Sequence, residues 1–224
     1  IRDSSHQRPD DIRALMGVSE NIAQVNHKRF MDWCTPFTLD NAKQSILAFK
    51  GDVYTGLEAD TMDKNQLAFA QKHLRILSGL YGLLRPLDLI QPYRLEMGLK
   101  FANSGGKNLY EFWGDSISES LNGQIGKSGS KVLVNLASNE YFKAIRPGAL
   151  DAEVITPVFK DLKGGKYRVI SFFAKKARGQ MARFIIDKEL DDAAGLKKFR
   201  VGGYRYNRAE SSARELVFTR DEAG

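Results

Sequence analysis

Hydrophobic and polar positions alternate at helical spacing through much of the first half of the chain. The spacing predicts a helix over residues 10–16 and another over residues 19–30, with Ile22, Val25 and Phe30 on the apolar face of the second. Further helices are predicted over residues 40–45, 63–77, 139–145 and 175–190, and after Asn108. A serine or asparagine directly before a helical segment is a favourable N-cap. The residues in that position are Ser19, Asn108 and Ser138.

Most strand candidates lie in the second half, where β-branched and aromatic residues form short runs. They cover residues 46–49, 131–137, 153–159, 167–174 and 214–219. The run over residues 131–137 is almost entirely apolar, which indicates a strand buried on both faces. Gly164 and Gly165 separate two candidates and predict a hairpin turn. The whole pattern predicts an α+β (mixed α/β) fold, with a mixed sheet surrounded by helices in one compact domain spanning residues 1–224.

Composition narrows the class of protein. The 224 residues are 42% hydrophobic and 27% charged, which is typical of a soluble globular protein. No stretch approaches the roughly 18 apolar residues of a membrane span, and the single cysteine, Cys34, excludes an internal disulfide. His6, His27 and His73 show no metal-ligand spacing, so we expect no metal site and no cofactor. We expect a cytoplasmic monomer with no membrane partner.

Positive charge is concentrated in two segments. Residues 163–183 contain seven lysines and arginines and no acid, and the formal net charge of the whole chain is +7. A second acid-free run, over residues 197–208, contains five more cations. Such a concentration favours a polyanionic partner, either nucleic acid or a phosphate-bearing small molecule. A solvated basic face is the competing interpretation.

The segment over residues 74–88 combines glycine, apolar and basic residues. We expect a helix to reach Ser78 and a turn to follow it. The residues of interest in and after the turn are Gly79, Tyr81, Gly82 and Arg85. Glycines near helix ends permit a tight turn and let backbone N–H groups approach an anion, and the arrangement resembles a helix-hairpin-helix module that holds DNA phosphates. The alternative is a strand over residues 75–78, with the glycines in an ordinary turn from that strand to a helix.

Two further stretches carry charged side chains at turns. Arg94 and Glu96 lie on the same side of an extended stretch, and form either an orienting ion pair in a cleft or a weak surface pair. Lys50 stands on a glycine-bearing turn after a candidate strand, and ligands commonly bind at such turns.

A third basic stretch is predicted to join a strand to a helix. It contains Lys175, Lys176 and Arg178 within four positions. Cations at the start of a helix oppose its dipole, and a bound phosphate would relieve that repulsion. The placement therefore favours a ligand site.

These segments resemble the YaaA family of bacterial peroxide-stress proteins. The similar stretches are residues 49–57, 77–97, 135–141, 171–179 and 216–220. The run Leu-Ser-Gly-Leu-Tyr-Gly-Leu-Leu-Arg-Pro, followed by Gln-Pro-Tyr-Arg-Leu-Glu-Met, is the most specific part. The resemblance implies a mixed α/β fold with a helix-hairpin-helix-like element and a positively charged cleft, DNA binding, and protection against hydrogen peroxide by limiting iron-linked damage. Because the family begins with a strand and a Ser-Pro-Ala-Lys-Thr segment, it also implies one strand that these 224 residues lack.

Two functions follow as hypotheses. The first is a peroxide-stress protein that binds DNA phosphates in a structure-selective rather than sequence-specific way. Its predicted DNA contacts are Gly79, Tyr81, Gly82, Arg85, Lys175, Lys176, Arg178 and Arg183. The alternative is an enzyme that acts on a phosphorylated or nucleotide-like small molecule in the same basic cleft. Its predicted pocket residues are Lys50, Ser78, Arg94 and Glu96. No residue is assigned a catalytic role.

Overall fold

The structure, a computed structural model, describes residues 7–221. Its α-helices, in chain order, are α1 (Pro9–Met16), α2 (Glu20–Asp32), α3 (Ser45–Ala48), α4 (Asp52–Leu57), α5 (Lys64–His73), α6 (Leu109–Trp113), α7 (Ser116–Ser128), α8 (Asn139–Phe142) and α9 (Ser171–Asp187). Short 3-10 helices cover Ala59–Thr61, Pro147–Ala149, Ala194–Lys198 and Val201–Gly203. Among the residues described, no helix has both the length and the apolar character that crossing a membrane requires.

The strands form one five-stranded mixed sheet and two small antiparallel pairs. They are β1 (Lys43–Gln44), β2 (Ile76–Ser78), β3 (Gly82–Leu84), β4 (Leu89–Ile90), β5 (Val132–Val134), β6 (Glu153–Lys163), β7 (Lys166–Arg168), β8 (Arg205–Tyr206) and β9 (Glu215–Arg220). β1 pairs with β4, and β2 pairs with β3. The larger sheet has the order β5-β6-β9-β8, with β7 paired to β6. Helices combined with parallel and antiparallel strands confirm the predicted α+β class.

The chain divides into two compact units, each built from three segments. Unit 1 comprises Ile1–Ala48, Arg75–Leu121 and Ser138–Arg146, and unit 2 comprises Phe49–Leu74, Asn122–Ala137 and Pro147–Gly224. The organisation of the chain as one domain stays a prediction.

In unit 1, the first two helices pack through a small apolar cluster. The Ser19 hydroxyl accepts a hydrogen bond from the backbone N–H of Ile22, so α2 begins at the predicted N-cap. The buried face of α2 differs from the prediction. It contains Ala23 and Phe30, whereas Ile22 and Val25 are 38% and 41% exposed. Helical spacing alone allowed either face, and packing against α1 selected the one with the small Ala23.

Residues 40–49 show the reverse of the predicted order. A strand, β1, comes first and pairs with β4, and the short helix α3 follows it. The backbone N–H groups of Ser45 and Ile46 donate to the carbonyls of Asp88 and Pro86 at 2.8 and 3.0 Å. These hydrogen bonds to a distant segment decided the conformation, because a short apolar run does not distinguish a strand from a helix.

The glycine-rich segment of residues 74–88 is a β-hairpin. α5 ends at His73, and β2 pairs antiparallel with β3 across the turn between Ser78 and Gly82. The predicted continuation of the helix to Ser78 is therefore wrong. The alternative is correct about the strand, but the turn leads into a second strand, β3, and not into a helix. A helix-hairpin-helix module is not confirmed here, since strands flank the glycines.

Unit 2 contains the large sheet and α9, which packs on one face of it. The helix-facing residues of β6 include Ile155, Phe159 and Asp161, at the spacing of two that one sheet face requires. The core of unit 2 is formed by apolar side chains of α9, β6 and β9 and of the segment between α9 and β9. It includes Met181, Phe199, Tyr204 and Phe218.

Several strand predictions in unit 2 are confirmed and others are corrected. The turn at Gly164 and Gly165 and β9 lie where predicted. β6 begins where predicted, but it continues past Phe159 to Lys163. The strand predicted over residues 167–174 ends at Arg168, and α9 begins at Ser171. β5 is shorter than predicted and only half-buried, because it lies at the edge of the sheet. The helix predicted after Asn108 divides at Gly114 into α6 and α7.

Candidate functional site

Two glycines bring α4 and α9 into backbone contact. A Cβ on Gly179 would stand 1.8 Å from the carbonyl oxygen of Val53, and one on Gly56 would stand 2.1 Å from the carbonyl oxygen of Lys176. Only glycine permits such a close approach. The contact fixes the rotation of α9 about its axis, and so determines which of its side chains face solvent.

The first two turns of α9 expose adjacent aromatic and basic side chains. Phe172 and Phe173 are 57% and 39% exposed, and Lys175 and Lys176 are exposed beside them. Because α9 begins at Ser171, both lysines lie in its second turn, so the predicted placement of these cations at the helix start is wrong. The helix dipole acts within the first turn and does not explain their position.

The two arginines of α9 predicted to contact DNA differ in their surroundings. Arg178 is half-buried, and burial lowers the pKa of its guanidinium. Arg183 is engaged within unit 2: it donates to Asp187 at 2.7 Å, to the carbonyl of Glu58 at 3.0 Å and to the Thr61 hydroxyl at 2.6 Å. Arg183 therefore ties α9 to the segment after α4, and a phosphate contact by it stays a prediction.

A small pocket opens between the start of α9 and the end of β9. Its volume is about 170 Å³. The lining residues are Phe172, Phe173, Lys176, Gln180, Gly202, Tyr204 and Arg220. Sequence reasoning did not select Phe172, Phe173, Gln180 or Arg220; the one signal was the pair of phenylalanines directly before the lysines.

Arg220 forms a rigid wall of this pocket. Its Nε donates to buried Asp161 at 2.6 Å, and its guanidinium lies 4.6 Å from the ring centres of Phe173 and Tyr204. The Tyr204 hydroxyl donates to the other Asp161 oxygen at 2.8 Å. Burial, followed by this hydrogen bond, raises the pKa of Tyr204. The guanidinium is thereby neutralised and immobilised, so it shapes the pocket rather than supplying free charge.

Further cations lie on the neighbouring hairpin of β6 and β7. Asp161 is the register partner of Arg168 on one side and of Arg220 on the other. Lys163, Lys166 and Arg168 are exposed. The hairpin therefore adds positive charge to the end of the sheet that carries the pocket.

In unit 1, the glycines of the β2–β3 hairpin are explained by packing. A Cβ on Gly79 would stand 2.2 Å from the carbonyl oxygen of Leu95, and one on Gly82 would stand 2.8 Å from the Trp113 ring. The Trp113 indole N–H donates to the carbonyl of Gly79 at 3.0 Å. Both glycines are buried. This environment favours a structural turn, and phosphate contacts by these residues stay predictions.

The side chains of this hairpin are engaged in local hydrogen bonds. The buried Ser78 hydroxyl accepts from the backbone N–H of Tyr81 at 2.8 Å and lies 2.6 Å from the Tyr93 hydroxyl. The Tyr81 hydroxyl accepts from the Trp33 indole N–H at 3.2 Å, and burial raises the pKa of Tyr81. The predicted DNA contact Arg85 forms an ion pair with Asp88 at 2.9 Å.

Arg94 and Glu96 form the ion pair that their spacing predicted. Arg94 Nε lies 2.8 Å from Glu96 Oε1, and both side chains are partly exposed. The second oxygen, Oε2, is buried and has no hydrogen-bond partner among the residues described. Tyr141 lies in the same region, and burial, followed by the negative charges of Glu140 and Glu96, raises its pKa to about 12. The pair is therefore more constrained than a free surface pair.

The four residues of the predicted small-molecule pocket do not share one unit. Lys50 is exposed in unit 2, and Ser78, Arg94 and Glu96 belong to unit 1. Their convergence stays a prediction. His6 lies outside the described residues, and within residues 7–221 no three His, Cys, Asp or Glu side chains form a metal-binding group.

The fold and the surface of unit 2 define an α+β protein that presents cations and aromatic rings together at the end of a mixed sheet. By its sequence the chain belongs to the family described as peroxide stress protein YaaA, whose profile matches residues 1–210. The chain therefore has a general role in peroxide stress, as the resemblance implied.

Three curated relatives are each described only as a UPF0246 protein. One from Cellvibrio japonicus is 62% identical over 214 residues. Others from Shewanella sediminis and Shewanella loihica are 57% and 58% identical over the same length. Each match covers 96% of this chain and 83% of the relative. These names give no substrate or partner.

Proposed function

We propose that the chain acts in peroxide stress by binding DNA through the exposed face at the start of α9. The observation that carries this proposal is the side-by-side exposure of Phe172, Phe173, Lys175 and Lys176 on one rigidly placed helix. Basic side chains bind the phosphate backbone, and aromatic rings offer surfaces on which bases stack. A solvated basic face alone does not explain two adjacent exposed phenylalanines.

Arg178 supports the same interpretation. Burial lowers the pKa of its guanidinium, and no carboxylate within residues 7–221 forms an ion pair with it. A partly desolvated cation without a counter-charge gains from an anion that binds nearby. The lysines, the arginine and the hairpin cations together give a phosphate-binding surface that carries no base-specific contacts. Binding is therefore expected to be insensitive to DNA sequence.

The test measures the salt dependence of DNA binding. Each phosphate contact adds about −0.9 to the slope of log affinity against log salt. With roughly four to six contacts, wild-type affinity should fall by two to three orders of magnitude between about 50 and 200 mM salt. Replacing Lys175 and Lys176 by Ala should reduce the slope by about 1.8. Fluorescence anisotropy with two duplexes of unrelated sequence measures both effects.

A matched control removes the same charge elsewhere in unit 2. Lys64 and Lys72 are exposed on α5, so the double substitution Lys64→Ala and Lys72→Ala should keep the wild-type slope. Equal slopes for wild type and the Lys175/Lys176 variant would exclude this surface as the DNA contact. If no variant binds DNA, the enzyme alternative leads, and the buried Oε2 of Glu96 becomes its first candidate group.

A further inference from the structure

The pocket beside α9 has the size of a single ring system. Its volume of about 170 Å³ lies below the roughly 300 Å³ at which sites for drug-sized ligands begin. Phe172 contributes an exposed ring. Phe173 stands at 65° to it, with ring centres 5.6 Å apart. The Arg220 guanidinium covers the Phe173 ring at 4.6 Å, which leaves Phe172 as the surface on which a planar group would stack.

Two polar groups in the pocket are available to a ligand. Gly202 has φ +62°, and a Cβ on it would stand 3.0 Å from Gln180 Oε1, so the Gln180 amide lies directly against this glycine. Within residues 7–221, no hydrogen bond or ion pair engages the Gln180 amide or the Lys176 ammonium. An amide both donates and accepts, and therefore matches the edge of any base. The Lys176 side chain lines the pocket and is exposed, and an ammonium group suits the phosphate of the same nucleotide.

We propose that this pocket receives one unpaired base of a bound nucleic acid. The base stacks on Phe172, its edge bonds to the Gln180 amide, and Lys176 holds the adjoining phosphate. This inference rests on the proposed DNA binding and adds what is recognised: a nucleotide that is not in a base pair. A base within a duplex cannot enter the pocket, because its edge is paired and its faces are stacked.

The experiment compares three duplexes of equal length with the full chain. One is fully paired, one carries a single unpaired nucleotide, and one carries an abasic residue in place of that nucleotide. The base-containing bulge should bind at least about tenfold more tightly than the abasic bulge, because the base adds one aromatic stack and a hydrogen bond to the Gln180 amide. Phe172→Ala should remove most of this advantage, and Phe172→Trp should preserve it. Phe112→Ala, at an exposed phenylalanine of unit 1, should keep the wild-type ratio.

The outcomes separate this inference from the proposed function. Salt-dependent binding of the paired duplex, with equal affinity for both bulges, would overturn the pocket proposal and leave DNA binding in place. An absence of binding to all three duplexes would remove both. A free nucleotide carries the same base and phosphate groups, and dAMP tests this alternative ligand. If dAMP binds as tightly as the bulged duplex, the ligand is a free nucleotide and not a nucleic acid, and the proposal is overturned.

Discussion

Because α4 and α9 are in backbone contact at Gly179, the addition of one methyl group at this position should lower the free energy of unfolding substantially. Gly179→Ala places a Cβ 1.8 Å from the carbonyl oxygen of Val53 and 2.8 Å from the backbone nitrogen of Leu57. Both neighbours are backbone atoms, which cannot rotate away. Ordinary contact begins near 3.4 Å, so the helices have to separate by roughly 1.6 Å along this line.

The expected loss of stability follows from two opposing effects. Overpacking costs about 1–3 kcal/mol, and a rigid backbone neighbour puts this site near the upper limit. Alanine is the better helix former by about 1 kcal/mol, which offsets part of the cost. The free energy of unfolding should therefore fall by about 2 kcal/mol. For a chain of this length, that corresponds to a Tm lower by roughly 4–8 °C.

Gly123→Ala is the matched control for this substitution. Gly123 lies inside α7, is exposed, and has no atom within 4 Å of an added Cβ. The same change should therefore raise stability there, by up to about 1 kcal/mol. Urea and thermal unfolding followed by circular dichroism measure both variants. If Gly179→Ala proves as stable as Gly123→Ala, the close approach of α4 and α9 is not a feature of the folded protein.

Two further predictions concern buried polar groups. Asp161→Ala should lower the free energy of unfolding by about 3 kcal/mol in a urea titration, because it leaves the Arg220 guanidinium unpaired in a partly buried site. The control is Asp32→Ala, which removes an exposed ion pair with Lys28. It should lower the free energy of unfolding by less than about 1 kcal/mol. Burial raises the pKa of Tyr141 to about 12, so the folded state retains a proton that the unfolded state loses near about pH 10. The free energy of unfolding should therefore fall by up to about 1.4 kcal/mol per pH unit between about pH 10 and pH 12. Tyr141→Phe should lack this part of the fall in unfolding measured from about pH 9 to 12, and identical pH profiles would contradict the assigned environment.

Local signals in the sequence were sufficient for features that depend on neighbouring residues. Ser19, Asn108 and Ser138 were predicted as N-caps, and each accepts a hydrogen bond from a backbone N–H three residues ahead. The hairpin turn at Gly164 and Gly165 was predicted for the same reason, since two glycines with positive φ make the turn without a partner elsewhere. The α+β class followed from these elements together with the family resemblance.

Features that depend on distant partners were decided only by the tertiary structure. Residues 76–78 could form either a helix or a strand from their pattern, and pairing with β3 made them a strand. Gly79 and Gly82 match the pattern of an anion-binding turn, and only the tertiary structure shows that Leu95 and Trp113 pack against them.

The candidate site shows the same division between local and distant causes. The sequence by itself determined that cations concentrate beside Phe172 and Phe173. It could not determine that both rings face solvent, because that depends on the rotation of α9. The tertiary structure sets this rotation through the contact of Gly179 with α4, and it brings Arg220 from the end of the chain to complete the pocket. A pattern along the chain records which side chains are near in sequence, whereas a pocket depends on which surfaces are buried, and burial is a property of the packed fold.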